Sequence, residues 1–477
     1  MTTIKLDPGA ALLLDALHGA GHAAYAVGGC VRDSLLGLAP HDWDLCTSAR
    51  PEQVMALFGE EKCIPTGLQH GTVTVKQGGR LYETTTFRTE GAYSDGRHPD
   101  AVCFVPDVRE DLARRDFTIN AMAYSAEEGL IDPFGGQDDL AAHLVRAVGE
   151  PERRFEEDAL RILRLYRFAA RFGFAIDPAT GAAARALGPH LDCVSAERIQ
   201  EEMLKLLAAP QPGNYLEPAV LAVVLSELEP ERFAELCRTI DRIEPTAENV
   251  PTRLAALLCP LGEAGARKAL RKLKCSNALT DEVTTLVGGS VGSFLLGHEF
   301  ELRHPADALC LERHSHPAGR CPNSNSLFPP QAAVVAVAGH SIARPIACGN
   351  RVPPQRTVLG ETPGTPNTTL TVQAKRLLGR YELPTIQRLT ALCSAQHPEQ
   401  AEAFAALRAE AEQLTAENAC CRVSQLAVNG RDLMAAGVRP GPGLRQVLNA
   451  LLEAVITGQT PNEKDALLAA ADQFSAS

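Results

Sequence analysis

Apolar residues recur along this chain in two rhythms, and the change between them divides it. In residues 22–140 they come in short runs rich in β-branched and aromatic side chains, at 24–27, 44–46, 72–76, 81–87 and 102–105, separated by glycine turns. Runs of that kind predict strands. A helical stretch over 51–58 lies among them, with Pro51 suited to a first turn. From about Asp138 the period lengthens. Over 156–172, Leu160, Leu163, Tyr166 and Phe168 recur among arginines at a spacing that predicts one amphipathic helix. Residues 196–207, 251–273, 401–417 and 444–457 continue the helical pattern. Residues 288–371 fit neither rhythm, since apolar patches alternate there with Pro, Gly, Asn and His. That stretch is expected to be an insertion, a disordered linker or a local frameshift.

Length and composition narrow the function classes. A chain of 477 residues predicts two to four domains, and 45% hydrophobic residues supply an ordinary core. No run approaches the roughly 18 apolar residues of a membrane helix. Lys5 and Asp7 stand where a signal peptide would carry apolar residues, so the expected location is cytoplasmic. The 14 cysteines include no Cys-x-x-Cys pair, and most of them read as small buried hydrophobes. A net charge of −12 argues against indiscriminate coating of nucleic acid but leaves room for a local basic surface.

Candidate chemistry begins directly after the first expected strand. Gly28-Gly29-Cys30-Val31-Arg32-Asp33 is followed by His41-Asp42-Trp43-Asp44. Two glycines let the backbone approach a ligand and leave amides to cradle phosphate oxygens. Arg32 adds a planar fork suited to a triphosphate. Asp42 and Asp44 are one residue apart, which on a strand turns both carboxylates to one face. Beside a phosphate cradle they form a hard oxygen site for magnesium, as two-metal phosphoryl transfer requires. Either motif alone is more often a bend or a solvated turn; their order and proximity carry the reading. Glu83, on an expected central strand, is a third metal ligand, a general base, or a partner of Arg88.

A second cluster lies on the expected helix. Asp158 and Arg161 are one turn apart and can lie side by side. The carboxylate accepts hydrogen bonds and the guanidinium donates them. Cytosine and adenine both offer an amino donor beside an unprotonated ring nitrogen, whereas uracil and guanine present the reverse. An adjacent Asp and Arg would thus accept C and A and reject U and G, replacing a template. The plain alternative is an intrahelical ion pair of about 0.3–0.5 kcal/mol. Arg164 and Arg167 stack further cations on one face, which calls for an anion opposite, and a triphosphate supplies one.

Together these residues resemble the class II CCA-adding enzymes and bacterial poly(A) polymerases. The matching motifs include Gly28-Gly29-Cys30-Val31-Arg32-Asp33, Asp42-Trp43-Asp44 and Arg114-Arg115-Asp116-Phe117-Thr118-Ile119-Asn120. They continue with Glu157-Asp158-Ala159-Leu160-Arg161 and Glu197-Arg198-Ile199-Gln200-Glu201-Glu202. Val428-Asn429-Gly430-Arg431-Asp432-Leu433 and Gly441-Pro442-Gly443 resemble the C-terminal part of the Firmicutes-type enzymes. The resemblance implies an α+β fold: a nucleotidyltransferase head with a small mixed sheet (1–140), then an all-helical neck (141–210), body (211–287) and tail (372–477), with 288–371 anomalous. It implies Asp42 and Asp44 as catalytic, Mg2+-binding residues, with Gly29, Arg32 and Arg115 on the nucleotide's phosphates and sugar. Asp158 and Arg161 would read the base, Arg164 and Arg167 would complete the nucleotide site, and Asp116 and Asn120 would order it. The implied activity is template-independent addition and repair of the 3′-terminal CCA of tRNA from CTP and ATP, releasing pyrophosphate. The partner is tRNA, no membrane is involved, and a homodimer is compatible with this reading.

Within that group, residues 89–99 resemble the loop of enzymes that add the terminal A, and residues 65–74 resemble the CCA-adding branch. The alternatives are a poly(A) polymerase and a non-catalytic RNA- or nucleotide-binding relative. Arg267, Lys268, Arg271, Lys272 and Lys274 form a basic stripe that suits either RNA phosphates or a solubilising face. His304, Cys310, His314, His316 and Cys321 match no common zinc spacing.

Overall fold

The computed structural model describes residues 3–91, 102–225, 232–290 and 368–475. Its first part carries strands β1 (Ala24–Val27), β2 (Leu45–Thr47), β3 (Cys63–Gly67), β4 (Thr72–Gln77), β5 (Arg80–Thr86), β6 (Arg88–Glu90), β7 (Val102–Phe104), β8 (Ala123–Ser125) and β9 (Gly129–Ile131). Seven of them form one sheet in the order β3-β4-β5-β2-β1-β8-β9. β2 runs parallel to β5 and the other neighbours are antiparallel, so the sheet is mixed, as expected. The expected strand over 102–105 does not join it, because β7 pairs with β6 as a separate ladder. The apolar pattern does not predict β3, which contains Pro65 and ends at Gly67, or the three-residue strands β6, β8 and β9.

Five helices accompany the sheet: α1 (Pro8–Gly19), α2 (Gly29–Leu35), α3 (Pro51–Phe58), α4 (Val108–Ala113) and α5 (Gly136–Ala141). Asp7 caps α1, accepting from the amides of Gly9 and Ala10 at 3.0 and 3.3 Å. Beyond residue 141 the chain is helical apart from the short parallel pair β10 (Leu144–Val145) and β11 (Ala175–Ile176). The helices α6 (Pro151–Glu157), α7 (Leu160–Phe172), α8 (Pro178–Leu187) and α9 (Ala196–Leu207) come first. Next come α10 (Pro218–Val224), α11 (Phe233–Arg242), α12 (Val250–Leu258), α13 (Gly262–Lys272) and α14 (Asn277–Gly289). The last six are α15 (Thr368–Arg380), α16 (Leu383–Gln396), α17 (Ala401–Ala416), α18 (Gly430–Ala435), α19 (Pro442–Ile456) and α20 (Lys464–Ser475).

Three differences from the sequence pattern have local causes. The single helix expected over 156–172 is two, because Asp158 adopts an extended backbone (φ −148°, ψ 101°). Its Oδ1 accepts from the Leu160 amide at 3.1 Å and so opens α7, as a short polar side chain does at a helix start. The helix expected over 251–273 is also divided, by a 3-10 turn at Cys259–Leu261 that contains Pro260 and precedes Gly262 at φ 62°. Finally, α14 runs through Gly289 and α15 starts at Thr368, so both ends of the stretch 288–371 are helical. Residues 291–367, with His304, Cys310, His314, His316 and Cys321, lie outside the described residues, as do 92–101, which include most of the loop expected at 89–99.

One apolar core runs from Ile4 to Cys421 and joins the sheet's helical face to the neck and body helices. A smaller cluster around Tyr25, Phe87 and Leu112 covers the other side of the sheet. α16 packs against α12 and α14, so its residues share the body's core. A separate small core, from Leu426 to Ala471, holds α18–α20 together. Arg253 on α12 is fully buried and donates to the carbonyls of Leu207, Ala209, Pro210 and Ile243 at 2.5–3.3 Å. It ties the C-terminal end of α9 to the body. No helix among the described residues is long and apolar enough to cross a membrane.

Candidate active site

The nine residues singled out from sequence line one cavity of about 630 Å³ between the sheet and the neck helices. These are Gly29, Arg32, Asp42, Asp44, Arg115, Asp158, Arg161, Arg164 and Arg167. One wall is built by the turn from β1 into α2. Gly28 sits there at φ 78°, its amide donating to the Met122 carbonyl at 3.1 Å. A Cβ on Gly28 would lie 2.9 Å from Arg115 Nη1, so glycine is required both for the backbone and for the guanidinium beside it. Gly29 starts α2, whose first N–H groups have no helical acceptor, and it lines the cavity.

The strand expected at 44–46 begins one residue later, at Leu45. The Val27 amide nevertheless donates to the Asp44 carbonyl at 3.0 Å, so extended pairing continues through Asp44. Trp43 is buried, while Asp42 and Asp44 on either side of it are exposed and line the cavity. The period of two thus places both carboxylates on one side. Asp42 Oδ1 lies 2.9 Å from His41 Nδ1. The Asp44 carboxylate is open to the cavity, yet the surrounding protein displaces part of its water, and that comes first, then the charge of Glu83, in raising its carboxyl to about 6; Asp42 adds to the rise and Arg115 opposes it.

Glu83 occupies β5, where Thr84 is the parallel partner of Leu45, so it lies alongside Asp44 at the strand's start. It does not complete a metal cluster: among the described residues no group of three or more His, Cys, Asp or Glu is placed to hold an ion. Arg88, its alternative partner, donates through Nη1 to the carbonyl of His70. Asp42 and Asp44 do fit a hard divalent cation. They are oxygen donors, and the negative field that favours a proton on Asp44 is one that a cation relieves.

The expectation that Asp158 and Arg161 share a helical face needs correction. Asp158 stands at the break before α7, and Arg161 is in its first turn. Their side chains have separate partners. Both Asp158 oxygens are held by Arg198, Nη1–Oδ1 at 3.2 Å and Nη2–Oδ2 at 2.7 Å. Arg161 donates from Nη1 to Glu157 Oε2 (2.9 Å) and the Arg154 carbonyl (3.1 Å), and from Nη2 to the Arg114 carbonyl (3.0 Å). The ion pair that Arg161 makes is therefore with Glu157, and it bridges the break between α6 and α7. The two proposed readers still meet at the same cavity.

The anions opposite Arg164 and Arg167 are likewise supplied by the protein. Arg164 donates from Nε and Nη2 to Asp116 Oδ2 at 2.9 and 2.6 Å. Arg167 Nε lies 2.5 Å from Glu202 Oε2, and Arg164 Nη1 lies 3.7 Å from Glu202 Oε1. Phe168 separates these cations, with Arg167 4.0 Å, Arg32 5.2 Å and Arg164 5.4 Å from its ring centroid. Burial alone would raise the Asp116 carboxyl, but Arg164 and a 3.0 Å hydrogen bond from Asn120 hold it far below the usual range. Asn120 in turn accepts from Arg32, whose Nε donates to Asp33 at 2.8 Å. Asp116 thus contacts Arg164 and Asn120 contacts Arg32.

Arg114, Phe168, Arg171, Arg198 and Lys205 also line the cavity but were not assigned a role there. Arg171 continues the run of arginines through 164 and 167, a signal already in the sequence. Arg198 stands in the motif 197–202, but its contact with Asp158 spans 40 residues and leaves no spacing to read. The basic stripe on α13 is partly engaged internally. Arg267 meets Asp281 at 2.9 Å, and Lys274 lies past the helix end and meets Glu197 at 2.7 Å.

The chain matches family models described as "Poly A polymerase head domain" (residues 24–146), "Probable RNA and SrmB-binding site of polymerase A" (173–234) and "tRNA nucleotidyltransferase domain 2 putative" (376–471). It is 34% identical over 476 residues to the CCA-adding enzyme of Limosilactobacillus fermentum, covering 97% of this chain and 96% of that one. Against the CCA-adding enzyme of Lactobacillus helveticus it is 44% identical over 280 residues, 58% of this chain and 69% of the other. The crystal structure of the Bacillus stearothermophilus CCA-adding enzyme in complex with CTP aligns with a TM-score of 0.66 at 28% identity, covering 99% of this chain and 98% of that one.

Proposed function

The chain belongs to the CCA-adding enzymes, and we propose that the cavity between its sheet and neck is where CTP and ATP are joined to tRNA. The reaction is template-independent: the tRNA 3′-hydroxyl attacks the α-phosphate of CTP twice and of ATP once, and pyrophosphate leaves. The observation that carries this assignment is the meeting, in one cavity, of two open carboxylates, a glycine turn and an arginine row drawn from separate parts of the chain.

Within it, Asp42 and Asp44 would hold a divalent cation, which we assign as Mg2+. When bound, the ion supplies activation of the attacking hydroxyl and neutralisation of the leaving pyrophosphate. The amides that open α2, with Arg32 and Arg115, bind and orient the phosphates and sugar. Asp158 and Arg161 read the base, and Arg164 and Arg167 complete the nucleotide site from the neck. Asp116, Asn120 and Glu202 keep the guanidinium groups in place before substrate arrives, which lowers the cost of ordering them. Among the described residues, the body and tail helices are assigned to tRNA, and the work is assigned to the cytoplasm.

The test is incubation of the protein and Mg2+ with tRNA lacking its CCA end and with each nucleoside triphosphate. Two cytidines followed by one adenosine are expected. Long adenosine tracts without cytidine would make the protein a poly(A) polymerase, and no incorporation would make it a binding relative.

A further inference from the structure

Asp158 is fixed by a residue that has no other evident task in the cavity. Arg198 projects from α9, its side chain 22% exposed and that of Asp158 16% exposed. An ionised carboxylate offers about four acceptor positions. On Asp158, Oδ1 takes the Leu160 amide at 3.1 Å and Arg198 Nη1 at 3.2 Å, and Oδ2 takes Arg198 Nη2 at 2.7 Å. One acceptor position is left, on Oδ2. Arg161 shows the complementary remainder: Nη1 is saturated by Glu157 and the Arg154 carbonyl, and Nη2 is half used by the Arg114 carbonyl. Its Nε and one Nη2 hydrogen have no protein acceptor among the described residues.

We propose that Arg198 is a specificity-determining positioning residue, which locks Asp158 so that a single oxygen faces the incoming base. This rests on Asp158 and Arg161 reading the base. A two-point grip by a planar fork fixes the plane of the carboxylate, which one hydrogen bond from a backbone amide cannot do. A locked carboxylate accepts from the exocyclic amino group of cytosine or adenine at one place only. Released, it rotates toward the ring and accepts the N3–H of uracil, so the error expected on losing Arg198 is a particular one.

The experiment compares CTP with UTP, as the ratio of kcat/KM on tRNA lacking its CCA end, for the full chain and for Arg198→Met, Arg198→Lys and Asp158→Ala. Arg198→Met is expected to lower the CTP preference by tenfold or more, chiefly by gaining UTP incorporation. Arg198→Lys keeps the charge but not the fork, so its ratio is expected to fall between Met and wild type. A melting temperature near wild type shows that α9 is intact, and where the Met variant does not fold the Lys variant decides. An unchanged ratio in both Arg198 variants, with Asp158→Ala losing selectivity, would overturn the role of Arg198 alone. A uniform loss of rate for both nucleotides overturns it too, marking Arg198 as structural. Undiminished selectivity in Asp158→Ala would instead remove the base-reading assignment on which it rests.

Discussion

Asp116→Asn is the sharpest probe of how the arginine row is held. The substitution keeps the shape of the side chain and removes its charge. Asp116 is 8% exposed, accepts from the Phe117 amide at 2.8 Å and Asn120 at 3.0 Å, and takes both Arg164 contacts on its other oxygen. If the amide oxygen keeps the first two partners, its NH2 faces Arg164, donor against donor. Breaking a buried ion pair from one side costs about 3–5 kcal/mol. The lower end applies here, because Arg164 is 33% exposed and water offsets part of its loss. A loss of about 3 kcal/mol corresponds to a fall of roughly 3 °C in melting temperature for a chain of this size. The pH dependence supplies a second check. In the folded state this carboxyl titrates well below its unfolded value of about 3.9. Its contribution is therefore complete above that pH and is lost as the pH falls toward the folded value. Melting curves of both proteins from pH 7 to pH 3 should show a gap that is widest at neutrality and narrows below about pH 4. A gap of constant width, or none at pH 7, would refute the reasoning.

Three other outcomes are expected. Asp42→Ala and Asp44→Ala should each abolish nucleotide incorporation while leaving the melting temperature within a few degrees, and normal turnover by either would remove the metal assignment. Gly28→Ala forces a side chain to φ 78° and against Arg115, so it should cost about 1–2 kcal/mol. It should also raise KM for CTP and ATP several-fold in steady-state assays; a wild-type KM would show that Arg115 does not need this turn. Arg253→Met leaves four buried carbonyls without their donor and should cost about 3 kcal/mol or more, seen as an early thermal transition; an unshifted transition would show that these carbonyls find other donors.

The sequence made the components legible more than their pairings. The glycine turn, the Asp42–Asp44 alternation about Trp43 and the arginines at helical spacing were all readable because each depends on neighbours within a few residues. A small sheet followed from the runs that hold β1, β2, β4 and β5, and its mixed order from the family resemblance, whereas β3, β8 and β9 left no such run. The break at Asp158 was hidden for a different reason. The apolar period on either side of it is unbroken, and only the side-chain capping of Leu160 reveals that the backbone turns there. The counter-ions were out of reach altogether: Asp116 meets Arg164 across 48 positions and Glu202 meets Arg167 across 35. An arginine row therefore suggested an external anion when the fold provides internal ones.

Those internal partners alter how the cavity greets its substrate. Nine cationic side chains line it. Four carboxylates line it with them, and Asp33, Asp111, Glu157, Glu201 and Glu202 are bonded to those cations from behind. Each of the nine cations is thus paired with a carboxylate of the protein. A triphosphate entering such a pocket meets oriented donors rather than an excess of charge, so added salt should weaken nucleotide binding far less than a tally of arginines suggests.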